Sequence, residues 1–90
     1  MISASRDLII ANQRGLHARA AAKFVKVAAD YEASIRVCHG GTEVCGTSIM
    51  GLMMLAASKG STISVSAEGQ DADAAIAAIA SLISNQFDED

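Results

Sequence analysis

The chain has 90 residues, of which 51% are hydrophobic, 19% charged and 3% aromatic, with a formal net charge of −3. This length predicts a single domain over residues 1–90, and the composition excludes the collagen-like, coiled-coil, disordered and disulfide-rich classes. Because no apolar stretch approaches the roughly 20 residues of a membrane span, and because negative charge and few aromatics disfavour nucleic acid, we expect neither a membrane nor a nucleic-acid partner.

The first part of the chain predicts a strand followed by a helix. Residues 5–11 carry three successive aliphatic side chains, which is typical of a strand. From residue 18 to about residue 30 the apolar side chains recur at helical spacing. The predicted buried face of this helix comprises Ala21, Phe24, Val25 and Ala28.

A hairpin follows, and it carries both cysteines. Residues 34–38 alternate between inward and outward side chains, and a return strand over residues 43–46 follows the turn at Gly40-Gly41. The register places the two cysteines diagonally, too far apart for an easy disulfide, so we expect reduced thiols and a cytoplasmic protein. One alternative is a metal site, although the spacing matches no standard zinc motif. Its ligands would be Cys38, His39 and Cys45.

The second part of the chain predicts a helix, a strand and a final helix. Residues 48–58 are apolar and too long for a strand, and Lys59-Gly60 is a plausible C-cap for a helix. Residues 62–67 alternate as a half-buried strand does. Asp71 then begins an alanine-rich helix. Its predicted buried stripe comprises Ile76, Ile79 and Ile83.

The resulting order β-α-β-β-α-β-α predicts an α+β fold. Two β-α-β units joined by a hairpin form a two-layer, open-faced sandwich, in which a four-stranded, mainly antiparallel sheet has three helices on one face. The other face carries polar side chains and can contact water. Such folds serve many functions, so the function must be argued from a site.

The charge is unevenly distributed along the chain. Residues 14–26 contain four basic side chains and no acidic one, whereas residues 68–90 are acidic and contain no basic one. The last three residues are interpreted as a solvated tail. The basic cluster lies at the start of a predicted helix, where the macrodipole already makes cations unfavourable. A solvated face is the default interpretation of such a cluster, and its unfavourable placement suggests the alternative of an anionic ligand or an acidic partner.

The segment around His17 provides a candidate anion-binding site. Gly15 permits a tight turn, and His17 lies where free N–H groups begin the helix, which favours a neutral, nucleophilic imidazole. A phosphoryl group on this ring would meet those N–H groups and the guanidinium of Arg19. A lone histidine is usually structural, but the flanking glycine, arginine and helix start give the functional interpretation equal weight here.

These residues resemble a known family. The segment Gly15-Leu16-His17-Ala18-Arg19 is similar to the active-centre signature of the histidine-containing phosphocarrier (HPr) family of the bacterial phosphotransferase system. A second segment, residues 47–55 followed by Lys59-Gly60, resembles the regulatory serine region of that family. The resemblance covers essentially the whole chain and implies the HPr-like fold.

The resemblance implies a covalent carrier rather than an enzyme, with no cofactor and no metal. His17 would accept a phosphoryl group on Nδ1 from phospho-enzyme I and pass it to a histidine of an EIIA protein, while Ala18 and Arg19 bind the phosphate. The protein would act as a monomer. Further residues are expected to dock these partners, namely Arg14, Lys23, Lys26, Ile49, Met50 and Met53.

Ser48 has two interpretations. A serine at a helix N-terminus is commonly just a cap. In the family the serine of this motif is phosphorylated by HPr kinase/phosphorylase, so the resemblance also implies a regulatory phosphosite here. A second function hypothesis follows, namely a regulatory binding module that acts through the Ser48 surface without phosphoryl transfer.

Two positions depart from the family pattern, and the branch stays open. Ala20 stands where proline is common, and Arg14 stands where a small polar residue is common. Residues 12–25 and 86–90 are similar to the nitrogen-related (NPr-like) carriers, whereas the Ser48 region is more similar to carriers that are kinase substrates.

Overall fold

The computed structural model describes residues 2–89. Strands and helices follow the predicted order, and a short 3₁₀ turn that the sequence did not predict comes after the last helix. The elements are β1 (Ser3–Ile9), α1 (Ala18–Ala29), β2 (Ser34–His39), β3 (Thr42–Cys45), α2 (Ile49–Met54), β4 (Thr62–Glu68), α3 (Ala72–Ser84) and the 3₁₀ turn (Gln86–Asp88).

The four strands form one sheet in the order β1-β4-β2-β3, and every neighbouring pair is antiparallel. Because side chains alternate along a strand, each strand buries one set and exposes the other. On β2 and β4 the buried set is the predicted one, with Ile35, Val37, Ile63, Val65 and Ala67 all nearly inaccessible. The α+β, open-faced architecture is therefore confirmed.

The helices complete the core on the buried face of the sheet. Helix α1 buries Phe24 and the alanines beside it, while α3 buries the predicted isoleucine stripe. Val25 is only half-buried, and Ala20 takes its place on the buried face of α1. No helix in residues 2–89 is long and apolar enough to cross a membrane.

Strand β1 begins and ends two residues earlier than predicted. Ile9 is 63% exposed at the end of the strand, whereas Ile10, just beyond it, is buried. Ile10 instead exchanges backbone hydrogen bonds with Gly60 and Ser61, at 2.8 and 2.9 Å. Backbone pairing with the segment before β4 therefore continues one residue beyond β1.

Helix α2 is shorter than predicted, and Lys59-Gly60 is not its C-cap. The helix ends at Met54 with Leu55 as its C-cap residue, and Ala56 then adopts a left-handed φ of 53°. Tertiary hydrogen bonds hold the following segment outside a helix, because the Leu55 carbonyl accepts from His39 at 2.9 Å and the Ala57 carbonyl accepts from Leu16 at 2.9 Å. Periodicity could not reveal these distant partners.

Asp71 occupies the predicted N-cap position of α3, but its carboxylate serves another donor. It accepts the backbone N–H of Glu32 at 2.8 Å and makes no side-chain cap hydrogen bond within α3. Asp71 therefore links the start of α3 to the turn that precedes β2.

Candidate functional site

The loop between β1 and α1 fixes the position of His17. Gly15 has a φ of 65°, and its carbonyl accepts from the buried Asn12 amide at 2.8 Å. Leu16 is buried in the core and donates its backbone N–H to Ala57. Leu16 and the turn at Gly15 are therefore anchored, and they leave His17 little conformational freedom at the start of α1.

His17 is the N-cap residue of α1. Its backbone is extended, and its Nδ1 accepts the backbone N–H of Arg19 at 3.3 Å. Since a backbone N–H can only donate, Nδ1 carries a lone pair and the ring proton lies on Nε2. The start of α1 therefore holds the imidazole with its Nδ1 directed toward the first N–H groups of the helix.

The other ring nitrogen contacts the C-terminal segment. His17 Nε2–H donates to the Glu89 carboxylate at 2.5 Å, and the Asn12 amide donates to the same carboxylate at 3.1 Å. These hydrogen bonds, above all the one from His17, hold the pKa of Glu89 below its usual range. Interpreting residues 88–90 as a solvated tail was therefore wrong for Glu89; Asp88 is exposed, and Asp90 lies outside the described residues.

Charged side chains surround His17 in an open cleft of about 360 Å³. Three cations and two carboxylates line it, so the cleft is positive on balance although the whole chain is negative. Lys23 is partly engaged, because its ammonium donates to the Phe87 carbonyl at 2.6 Å. The lining residues are Gln13, Arg14, His17, Arg19, Lys23, Asp88 and Glu89.

The cleft contains most of the residues predicted for the basic cluster. Arg14, Arg19 and Lys23 lie beside His17, and Ala18 is the exposed first residue of α1. Lys26 is exposed in the last turn of α1 and does not line the cleft. The part of α1 that lines the cleft is therefore confined to its first two turns.

The residues predicted around Ser48 form a second feature. Ser48 is the N-cap residue of α2, and its hydroxyl accepts the Gly51 N–H at 3.0 Å. The apolar side chains that follow it are exposed, as expected. They are Ile49 at 42%, Met50 at 70% and Met53 at 40%, together with Met54 at 74%, which sequence reasoning did not single out.

The hairpin cysteines do not form a metal centre. Cys38 and Cys45 are free thiols, and His39 uses its Nδ1 to hydrogen-bond the Leu55 carbonyl. Within residues 2–89 no group of three potential ligands is close enough to hold a metal ion. The Thr47 hydroxyl beside Cys45 lowers the pKa of that thiol.

Sequence reasoning missed three residues of the site. Asn12 is completely buried, although asparagine is seldom buried without a role, and the polar tail contains Phe87, which is also completely buried. Glu89 follows it and reaches His17 across 72 positions in sequence. A lone phenylalanine in a charged tail is the one signal that could have indicated a packed C-terminus.

Comparisons with known proteins agree with this geometry. The family model described as PTS HPr component phosphorylation site matches residues 4–85. The chain is 42% identical to a phosphocarrier protein NPr of Shewanella violacea, covering 99% of this chain and 98% of that protein. It is 49% identical to a phosphocarrier protein HPr of Pseudomonas aeruginosa, covering 92% and 93% respectively.

A solved structure gives the same result for the fold. HPr-C-His from Thermoanaerobacter tengcongensis superposes with a TM-score of 0.92 at 40% identity, covering 97% of this chain and 98% of that one. Relatives named NPr and HPr match at similar identity, so the shared family is what the comparisons show. The chain belongs to the HPr family, the phosphotransferase-system phosphocarriers that carry a histidine phosphorylation site and have no catalytic turnover of their own.

Proposed function

We propose that His17 is the phosphorylated histidine, accepting its phosphoryl group from phospho-enzyme I and passing it to a histidine of an EIIA protein. The observation that carries this proposal is the lone pair on His17 Nδ1, held at the N-terminus of α1 inside a cationic cleft. An uncharged ring nitrogen beside preorganised positive charge is what a phosphoryl acceptor requires, because such transfer is mostly positioning and charge neutralisation.

This geometry accounts for the bonds and the proton in the transfer step. The Arg19 N–H releases the Nδ1 lone pair, which forms the new N–P bond, while the bond from phosphorus to the donor breaks and its electron pair leaves with the donor. The proton on Nε2 stays in place, so the phosphorylated ring is positively charged. The backbone N–H groups of Ala18 and Arg19 and the guanidinium of Arg19 then stabilise the phosphoryl oxygens.

The surroundings of the cleft suit larger partner proteins. We assign docking to two surfaces, the cations Arg14, Lys23 and Lys26 and the exposed apolar residues of α2, because charge steers an encounter and apolar side chains stabilise it. The chain is proposed to act as one HPr domain over residues 1–90, as a monomer without cofactors. Its two free thiols support a cytoplasmic location.

The experiment that tests this proposal compares the two histidines. Incubation with phosphoenolpyruvate, Mg²⁺ and enzyme I should add one acid-labile phosphoryl group, measured by intact mass. His17→Ala should abolish the gain, whereas His39→Gln, which changes the other histidine but retains a donor for Leu55, should preserve it. If the parent protein gains no mass with a competent enzyme I, the proposed function is wrong.

We also propose that Ser48 is a regulatory phosphosite, recognised by HPr kinase/phosphorylase. Its hydroxyl caps α2 directly before the exposed apolar residues, so a phosphate there would place about −1.5 to −2 charge beside a docking surface. The cap itself would survive, because an added phosphate still offers acceptors to the first N–H groups of α2. The expected effect is therefore on docking and not on folding.

A pair of variants separates charge from capping at this position. Ser48→Asp should slow phosphorylation by enzyme I by about tenfold, whereas Ser48→Asn, which caps a helix equally well without charge, should stay within about twofold of the parent. Both variants should keep the parent's thermal midpoint. Steady-state transfer rates measure the effect, and equal rates for the two variants would refute the proposal.

A further inference from the structure

The contact between Glu89 and His17 is the least expected feature of the cleft. Both oxygens of the carboxylate are engaged, one by His17 Nε2–H at 2.5 Å and the other by the Asn12 amide at 3.1 Å. The two side chains of the pair are only 22% and 15% exposed. The carboxylate is therefore held against the ring and is not a mobile surface charge.

Asn12 fixes the carboxylate in turn. Its amide nitrogen donates to both Gly15 and Glu89, while its buried Oδ1 has no partner among the described residues. A buried acceptor without a partner costs free energy of folding. The two hydrogen bonds that the Asn12 amide nitrogen donates explain why an asparagine occupies this position. These three residues form a chain of contacts that runs from the Gly15 turn to the imidazole.

The tail that carries Glu89 is itself anchored. Phe87 is completely buried, and its carbonyl accepts from Lys23 of α1. Residues 86–88 have φ values of 55, 55 and 60°, an unfavourable left-handed run for side chains with a Cβ. Such backbone persists only where surrounding contacts determine it, so packing places Glu89 at the ring.

We propose that Glu89 is a positioning residue for His17, an inference that rests on the proposed phosphoryl transfer. By accepting the Nε2–H it fixes the ring orientation and keeps the proton off Nδ1, which leaves the Nδ1 lone pair for phosphorus. When transfer makes the ring positive, the same carboxylate neutralises that charge. A carboxylate behind a reacting imidazole acts in the same way in hydrolytic triads.

The negative charge of Glu89 does not disqualify it from this role. It contacts the Nε2 edge of the ring, whereas the incoming phosphoryl group approaches Nδ1 at the start of α1. Arg14, Arg19 and Lys23 outnumber the two carboxylates of the cleft. The site therefore attracts an anionic phosphoryl group despite a carboxylate on the far side of the acceptor.

The decisive measurement is the imidazole tautomer, which needs no partner protein. In long-range ¹H–¹⁵N spectra at neutral pH, the His17 ring of the parent should show the Nε2–H form. Glu89→Ala should raise the Nδ1–H population at least about threefold. The population in Glu89→Gln should lie between that of the parent and that of Glu89→Ala. Glu68→Ala removes an equal charge from the exposed end of β4, outside the cleft, and should match the parent.

The rate of phosphoryl transfer from enzyme I is measured for the same variants. Glu89→Ala should accept the phosphoryl group from enzyme I about tenfold more slowly, a typical effect of removing the partner that orients a histidine ligand. Asn12→Ala should also shift the tautomer, but adding it to Glu89→Ala should produce no further shift, because Asn12 acts through Glu89. Unchanged backbone spectra establish that the variants are folded.

The outcomes distinguish this proposal from the one on which it rests. If the parent is not phosphorylated at all, the carrier function fails whatever the tautomer. If the parent is phosphorylated and Glu89→Ala matches Glu68→Ala in tautomer and rate, the positioning role is overturned. A faster rate for Glu89→Ala would also overturn it, because the tail would then be an obstruction.

Discussion

Replacing Gly15 with alanine is expected to lower the free energy of unfolding by at least about 3 kcal/mol. A Cβ at this position would lie 2.3 Å from the Ala57 carbonyl oxygen and 2.8 Å from the Ser58 Cα. Both are backbone atoms, so neither can move aside as a flexible side chain could. The φ of 65° adds about 1–2 kcal/mol for any residue with a Cβ.

The matched control for this variant is Gly40→Ala. Gly40 has a similar φ of 56°, but no described heavy atom lies within 4 Å of a Cβ built there. This control should therefore lose only about 1–2 kcal/mol. Urea denaturation of both variants measures the difference, and equal losses would show that close packing against Ala57 does not constrain the turn.

Gly15→Ala should also slow phosphoryl transfer, because the same turn positions the imidazole. The Leu16 N–H donates to the carbonyl oxygen that the new methyl group would displace, and His17 follows directly. Transfer rates from enzyme I should fall for Gly15→Ala and stay near the parent value for Gly40→Ala. A glycine of the active-centre motif thus has a steric role that the motif alone does not explain.

Local patterns predicted the strands and the hairpin, which side-chain alternation and turn residues determine within a few positions of the sequence. The alternation of Ile35 and Val37, and of Ile63 and Val65, was sufficient because each strand has one buried face. The Gly40-Gly41 turn determined the hairpin register, and Val37 does lie opposite Val44. In these segments periodicity and turn chemistry agree with the tertiary structure.

Patterns failed where distant backbone contacts decided the structure. The end of α2 depends on hydrogen bonds from His39 and Leu16, which are not visible in the composition of residues 48–58. The C-terminal contact with His17 spans 72 positions and ends in a charged segment that resembles a solvated tail. His17 could therefore be singled out from its motif, but its carboxylate partner could not be predicted.

The buried ring of Phe87 connects the stability of the fold with the geometry of the site. Phe87→Ala is expected to lower the free energy of unfolding by about 3–5 kcal/mol, because a fully buried aromatic ring is removed from the core. It should also release the tail. The pKa of Glu89 should then rise toward its ordinary value of 4.5 as the hydrogen bond from His17 is lost.

Ile79→Ala provides the control, because Ile79 is equally buried in α3 but does not belong to the tail. Its stability loss should be about 2–5 kcal/mol, comparable to that of Phe87→Ala, while the pKa of Glu89 and the His17 tautomer stay as in the parent. Carboxyl chemical shifts followed against pH measure the pKa of Glu89, and imidazole ¹⁵N shifts measure the His17 tautomer. If Ile79→Ala moved both readouts as far as Phe87→Ala, general loosening of the core would explain them. If only Phe87→Ala moves them, the packing of one ring against the core holds the carboxylate at His17.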